Sequence, residues 1–134
     1  MRMLRIAGLS FAASMFAAAA QAASPPALYT AAQATAGAAV YTQSCAMCHG
    51  ANLAGGAAPA LVGSGFTPAG TTIGSVFTVL SQQMPASVPG SLTHTQYEDI
   101  MAYVLQKNGY PAGSTAISYD KATSDTTPLV SQAK

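Results

Sequence analysis

Two stretches of this chain carry apolar residues at helical spacing. Ile73, Val76, Phe77 and Leu80 fall at i, i+3, i+4 and i+7, which is one face of a helix. Thr71 or Thr72 can cap it. It should stop near Gln83, because Pro85 disfavours helical geometry at Met84. The second stripe is Tyr97, Ile100, Met101 and Val104. Thr93 and Gln96 match a capping box, with Leu92 placed as a hydrophobic staple. Glu98 and Asp99 are expected in the first turn of this helix and Lys107 in its last, as the macrodipole favours. Asn108-Gly109 and Pro111 end it. A third helix is expected on composition, from about Ala27 to Ser44, where alanines recur and proline is absent. Gly37 and Tyr41 share a face of it at i and i+4. A glycine inside a helix costs stability, so Gly37 suggests a close helix approach. Residues 50–70 read as loop, with Pro59, Pro68 and many glycines, and Ala86 to Ser91 as another. Beyond Gly113 runs a polar tail without helical periodicity, either wrapped on the domain or loose. No internal repeat is present.

The first residues have another pattern. Arg2 and Arg5 precede an apolar, alanine-rich stretch from Ile6 to Ala20, and Ala20-Gln21-Ala22 supplies the small residues of a signal-peptidase site. The stretch is short of the ~20 apolar residues that a spanning helix needs. A cleaved secretory signal over residues 1–22 is therefore expected, with no later run long enough to cross a bilayer. The expected organisation is a leader over 23–28, one domain over 29–113 and the tail over 114–134. Removing Arg2 and Arg5 leaves three lysines against four acidic side chains, a net charge of −1. That is too sparse for a nucleic-acid surface and argues against strong electrostatic steering. The whole chain has four Phe, six Tyr and no Trp, a limited core for a short domain, which a large apolar cofactor would supplement.

The chemistry is concentrated in Cys45-Ala46-Met47-Cys48-His49, a pattern that reads as covalent attachment of a c-type haem. On a helical turn, residues i and i+3 share a face, so both thiols can meet the two vinyl groups of one porphyrin. His49 then projects toward the ring centre, where an imidazole nitrogen can ligate iron. Both cysteines of the chain lie in this motif. Three other readings compete less well. A redox dithiol normally follows a strand, and no β pattern precedes Cys45. A structural disulfide leaves His49 without a role. A zinc site needs further Cys or His ligands, and only His94 remains.

For the other side of the iron, Met84 is the leading ligand, on a loop that Pro85 stiffens. Met47 lies within the attachment motif, too close to cross the ring, and Met101 belongs to the helical stripe. His94, in the first turn of a capped helix, is the weaker rival. Without a sixth ligand the site would bind small molecules or peroxide instead of carrying electrons. The second ring nitrogen of His49 needs an acceptor that fixes its orientation, and a carbonyl in Ala58-Pro59-Ala60 is a candidate.

Together these residues resemble the class I cytochrome c family, from about Ala31 to Gly113. The likeness rests on Cys45 to Gly50, Gly55 to Leu61, Met84-Pro85 and Tyr97 to Val104. It implies an all-α fold of three to four helices around one covalent haem c, with Cys45 and Cys48 holding the haem and His49 and Met84 ligating its iron. It also implies that Gly37 and Tyr41 face Ile100 and Tyr103, and that the Pro59 carbonyl receives the His49 ring hydrogen. The expected role is a periplasmic electron carrier without substrate chemistry of its own, serving a redox donor and an acceptor. Similar bacterial members accept electrons from quinoprotein or sulfur-compound dehydrogenases, either as free carriers or as haem subunits of the complex. The lysine-rich rim of mitochondrial members is missing here, and the tail lies outside the minimal fold.

Overall fold

The computed structural model describes residues 24–66 and 71–133, so the expected signal over 1–22 and Pro68 lie outside the described residues. Within them the chain forms α1 (Ala31–Ser44), α2 (Ala46–His49), α3 (Ile73–Gln83), α4 (His94–Lys107) and α5 (Tyr119–Thr123). A 3-10 turn spans Gly63–Gly65, and no strand occurs among the described residues. The count is five helices instead of the expected three to four. The difference lies in α2 and α5, four and five residues long, which no apolar stripe marks. No helix among the described residues is long and apolar enough to cross a membrane.

The fold is organised by α1 against α4. Gly37 is buried, and a Cβ added there would collide with the Asp99 carbonyl. Only glycine lets the two backbones approach this closely. One turn on, the Tyr41 and Tyr103 rings meet at a centroid distance of 5.4 Å. Tyr41, Leu53, Ile100 and Val104 form a small buried cluster on the side of the cysteine motif. A larger cluster holds Tyr29, Phe77, Tyr97, Met101, Leu105 and Leu129. Burying each such side chain contributes roughly 1.5–3 kcal/mol.

Two local expectations change. α1 starts at Ala31 and not at Ala27, because Thr30 accepts from the Gln33 amide while the Gln33 side chain accepts from the Thr30 amide. Ahead of that cap Tyr29 is extended and its carbonyl accepts from the Gly113 amide at 2.7 Å. Glu98 and Asp99 sit beyond the first turn of α4, which holds no acidic residue. The macrodipole fades within that first turn, so it gains little from either. Glu98 instead accepts the Tyr119 amide at 2.7 Å. Burial, with Glu98 beside it, raises the carboxyl of Asp99.

The tail is packed. Its carbonyls at Thr127 and Asp125 accept from the amides of Ile73 and Gly74, at 2.9 and 2.8 Å. These are orphan donors at the start of α3 that the helix itself cannot satisfy. Tyr119 stands edge-on to Phe77 at 5.2 Å, and Leu129 is buried in the larger cluster.

Candidate haem site

A cavity of about 490 Å³ opens between α2, the end of α3 and α4, within the roughly 300–1,000 Å³ range of ligand and cofactor sites. Cys45, Cys48, His49 and Met84 all line it. Its remaining walls are mostly apolar, with Leu61, Val76, Leu80, Ile100 and Val104 among them, and among the described residues no Asp, Glu, Lys or Arg contributes.

The wall that carries the cysteines is tied down residue by residue. Cys45 ends α1 with its amide on the Tyr41 carbonyl at 2.8 Å, and the next turn, α2, brings Cys48 and His49 into the cavity. The Cys48 carbonyl accepts the Ala58 amide and the His49 carbonyl accepts the Gly55 amide, both at 2.9 Å. Gly50 takes a positive φ of 82° and its carbonyl receives the Tyr41 hydroxyl at 2.7 Å. That return brings the Pro59 carbonyl to 2.8 Å from His49 Nδ1. A carbonyl can only accept, so Nδ1 must carry the ring hydrogen. Nε2 is then left as the lone-pair nitrogen, the arrangement a metal-binding histidine needs.

Burial raises the Cys45 thiol, and Cys48 adds to the shift. Burial, with smaller contributions from Cys45 and Tyr103, pushes the Tyr41 hydroxyl up to about 12.

On the other wall, Met84 follows the last residue of α3 in extended geometry (φ −117°, ψ 153°) and lines the cavity with Pro85. His94 does not reach the cavity; its ring stacks on Tyr119 at 3.7 Å. Met101 also lines the cavity, but from the α4 stripe, where it is fully buried in the larger core cluster. Met47, 93% exposed, and the partly exposed Val79 also line the cavity. The structure therefore brings together the four residues read from sequence. Sequence reasoning missed the Tyr97 hydroxyl, which donates to the Met84 carbonyl at 2.7 Å. Its only signal was a polar-tipped ring within an apolar stripe.

The donor set suits a covalently held haem: two thiols on one turn, one imidazole nitrogen with its partner nitrogen fixed, one thioether, and uncharged walls. Comparison with known proteins agrees. The family model described as cytochrome c oxidase, cbb3-type, subunit III matches residues 32–104. A solved structure, the sulfane dehydrogenase SoxCD from Paracoccus pantotrophus, is similar with a TM-score of 0.53 and 25% identity. The alignment covers 71% of this chain and 53% of that one, so this chain spans about half the length of the chain it matches. No curated protein matches the sequence.

Proposed function

The chain belongs to the class I c-type cytochromes, through the family described as cytochrome c oxidase, cbb3-type, subunit III, and from that premise we propose an exported, single-electron carrier with His49 and Met84 as iron ligands. Its cofactor is covalently bound haem c, whose iron supplies the change between ferric and ferrous states. Cys45 and Cys48 hold it as thioethers, and the Pro59 carbonyl keeps the His49 ring aligned through Nδ1. The observation that carries the reading is the convergence of all four side chains on one uncharged cavity.

What each part does follows from its chemistry. The apolar walls exclude water and favour the less charged, reduced state. A thioether ligand also favours ferrous iron, relative to a second histidine. Met47, Val79 and Val88 are exposed apolar side chains, the first two lining the cavity and the third on the loop after Met84. They offer a small docking surface for a redox partner. Residues 1–22 act as the export signal, so attachment occurs outside the cytoplasmic membrane.

Likeness to the sulfane dehydrogenase supports one second reading, in which the chain is the haem-bearing subunit of a periplasmic dehydrogenase and draws electrons from its substrate site. Co-purification of the exported protein with a dehydrogenase separates this from a free carrier.

The visible spectrum with and without reductant is the primary test, because it reports haem type, attachment and sixth ligand together. Met84→Ala should leave the haem attached, lower the reduction potential and open the iron to carbon monoxide. A variant with wild-type spectrum and potential would remove Met84 from the iron.

A further inference from the structure

We propose that Tyr97 is a positioning residue for Met84, holding both ends of the loop that presents the thioether. Its ring is buried at 2% exposure in the larger core cluster. Its hydroxyl makes two bonds outside that cluster. It donates to the Met84 carbonyl at 2.7 Å and accepts the Leu92 amide at 3.3 Å. Met84 and Leu92 are where the loop leaves α3 and where it turns into α4. One oxygen, fixed on α4, therefore closes the loop at its two ends.

The rest of the loop has little else to hold it. Residues 86–91 are all exposed. Its internal bonds are Val88 amide to Pro85 carbonyl at 3.0 Å and Gly90 amide to Met84 carbonyl at 3.3 Å. No buried side chain anchors the span between Pro85 and Ser91. Since the Met84 backbone sets where its side chain enters the cavity, the hydroxyl is the contact that ties thioether position to the rigid α4 core. Without it the Leu92 amide also loses its acceptor, and the loop gains freedom at both ends.

The inference rests on the reading that Met84 ligates iron, and its test separates the two. In the haem-loaded protein, Tyr97→Phe keeps the ring and deletes the hydroxyl. Covalent haem and helix content should be retained. Equilibrium binding of carbon monoxide to the reduced protein should tighten roughly 5- to 30-fold, the factor that one or two lost kcal/mol of loop restraint would give. Met84→Ala sets the limit, and adding Tyr97→Phe to it should produce no further gain, because no thioether is left to displace. Wild-type carbon monoxide affinity in Tyr97→Phe, or an equal gain in the Met84→Ala background, would overturn the positioning role. Wild-type affinity in Met84→Ala itself would overturn the ligand reading and this inference with it. Amide exchange in the unaltered protein checks the geometry without a variant. The Leu92 amide should exchange more slowly than that of its exposed neighbour Ser91, and fast exchange at Leu92 would overturn the proposal even if the variant failed to fold.

Discussion

The two walls of the cavity are held by different means. Around Cys45 to Leu61 the backbone is bonded to itself at short intervals: Ala58 to Cys48, Gly55 to His49, Gly56 to Ala58 and Leu61 to Leu53. The α1–α4 pair supports that wall through the Tyr41 hydroxyl on Gly50 and the Asn108 amide on Leu61, at 2.7 and 2.8 Å. The facing wall is a loop of exposed residues whose ends meet on one tyrosine hydroxyl. The first wall has many small restraints, so losing one shifts little. The second has few, so its restraint is concentrated and its freedom easily raised. With the ligands proposed above, this puts rigidity where the covalent bonds to haem would form and adjustability at the thioether, the weaker, exchangeable ligand of the two.

The largest test of that contrast is Gly37→Ala. The added methyl meets the Asp99 carbonyl, a backbone group that cannot swing away as a side chain would. Stability should fall by an amount at or above the upper end of the ~1–3 kcal/mol usual for overpacking, measured by denaturant unfolding. Haem attachment should be retained, and carbon monoxide affinity should change less than in Tyr97→Phe, because the methyl presses on Asp99 and Ile100 behind the first wall and leaves the Met84 loop untouched. Tyr97→Phe should do the reverse, with a smaller loss of stability and a larger change at the iron. If Gly37→Ala opened the iron as much as Tyr97→Phe, the two walls would not be independent.

Tyr41→Phe is expected to have a smaller, pH-dependent effect. A buried tyrosine whose pKa is raised to about 12 stays protonated in the folded protein where the unfolded chain, with an ordinary value near 10, has ionised. The stability tied to that proton is fully present below pH ~10 and is lost as pH rises through the folded value. Two units correspond to roughly 2–3 kcal/mol. Wild-type stability should therefore fall between pH ~10 and 12, and Tyr41→Phe should flatten that fall while costing about 1 kcal/mol at neutral pH for the lost bond to Gly50. Parallel pH profiles would mean that Tyr41 ionises freely and does not brace the first wall.

What the sequence disclosed follows from how local each cause is. The caps at Thr72 and Thr93, the stop at Met84 and the turn at Gly109 depend on a few adjacent residues, and all are found. Gly37 was legible because a glycine amid alanines has to be explained by something close to it. His49 on Pro59 was legible through the likeness and as one candidate among neighbouring carbonyls. The tail was not legible. Ile117, Ala122 and Leu129 are single apolar anchors in the tail, and the tail's bonds reach partners far off in the chain: Asp125, Thr127 and Gln132 bond Gly74, Ile73 and Asn108, and Leu129 bonds Thr71. No spacing rule encodes those partners. The Tyr97 hydroxyl was hidden for a related reason: periodicity reports which way a residue faces and is silent about its polar tip.

The smallest expected effect concerns the surface where the two walls meet solvent. Met47 lies on the first wall and Val88 on the loop of the second, both well exposed, and Val79 of α3 lines the cavity partly exposed. Among the described residues no Asp, Glu, Lys or Arg lines the cavity, and with the signal removed three lysines stand against four acidic residues over the whole chain. Charges this sparse, in solution where screening sets in within ~8 Å at physiological ionic strength, cannot steer a partner over long range. The rate of electron exchange with a redox partner should then change little as salt is raised. It should stay well short of the 10–10³-fold that steered association loses. Val79→Asp or Val88→Asp should slow exchange more than salt does, because each puts a charge into a contact that works by excluding water. A steep fall in rate with added salt, together with indifference to these two substitutions, would move docking off these apolar residues and onto Lys107, Lys121 or the acidic residues of α4.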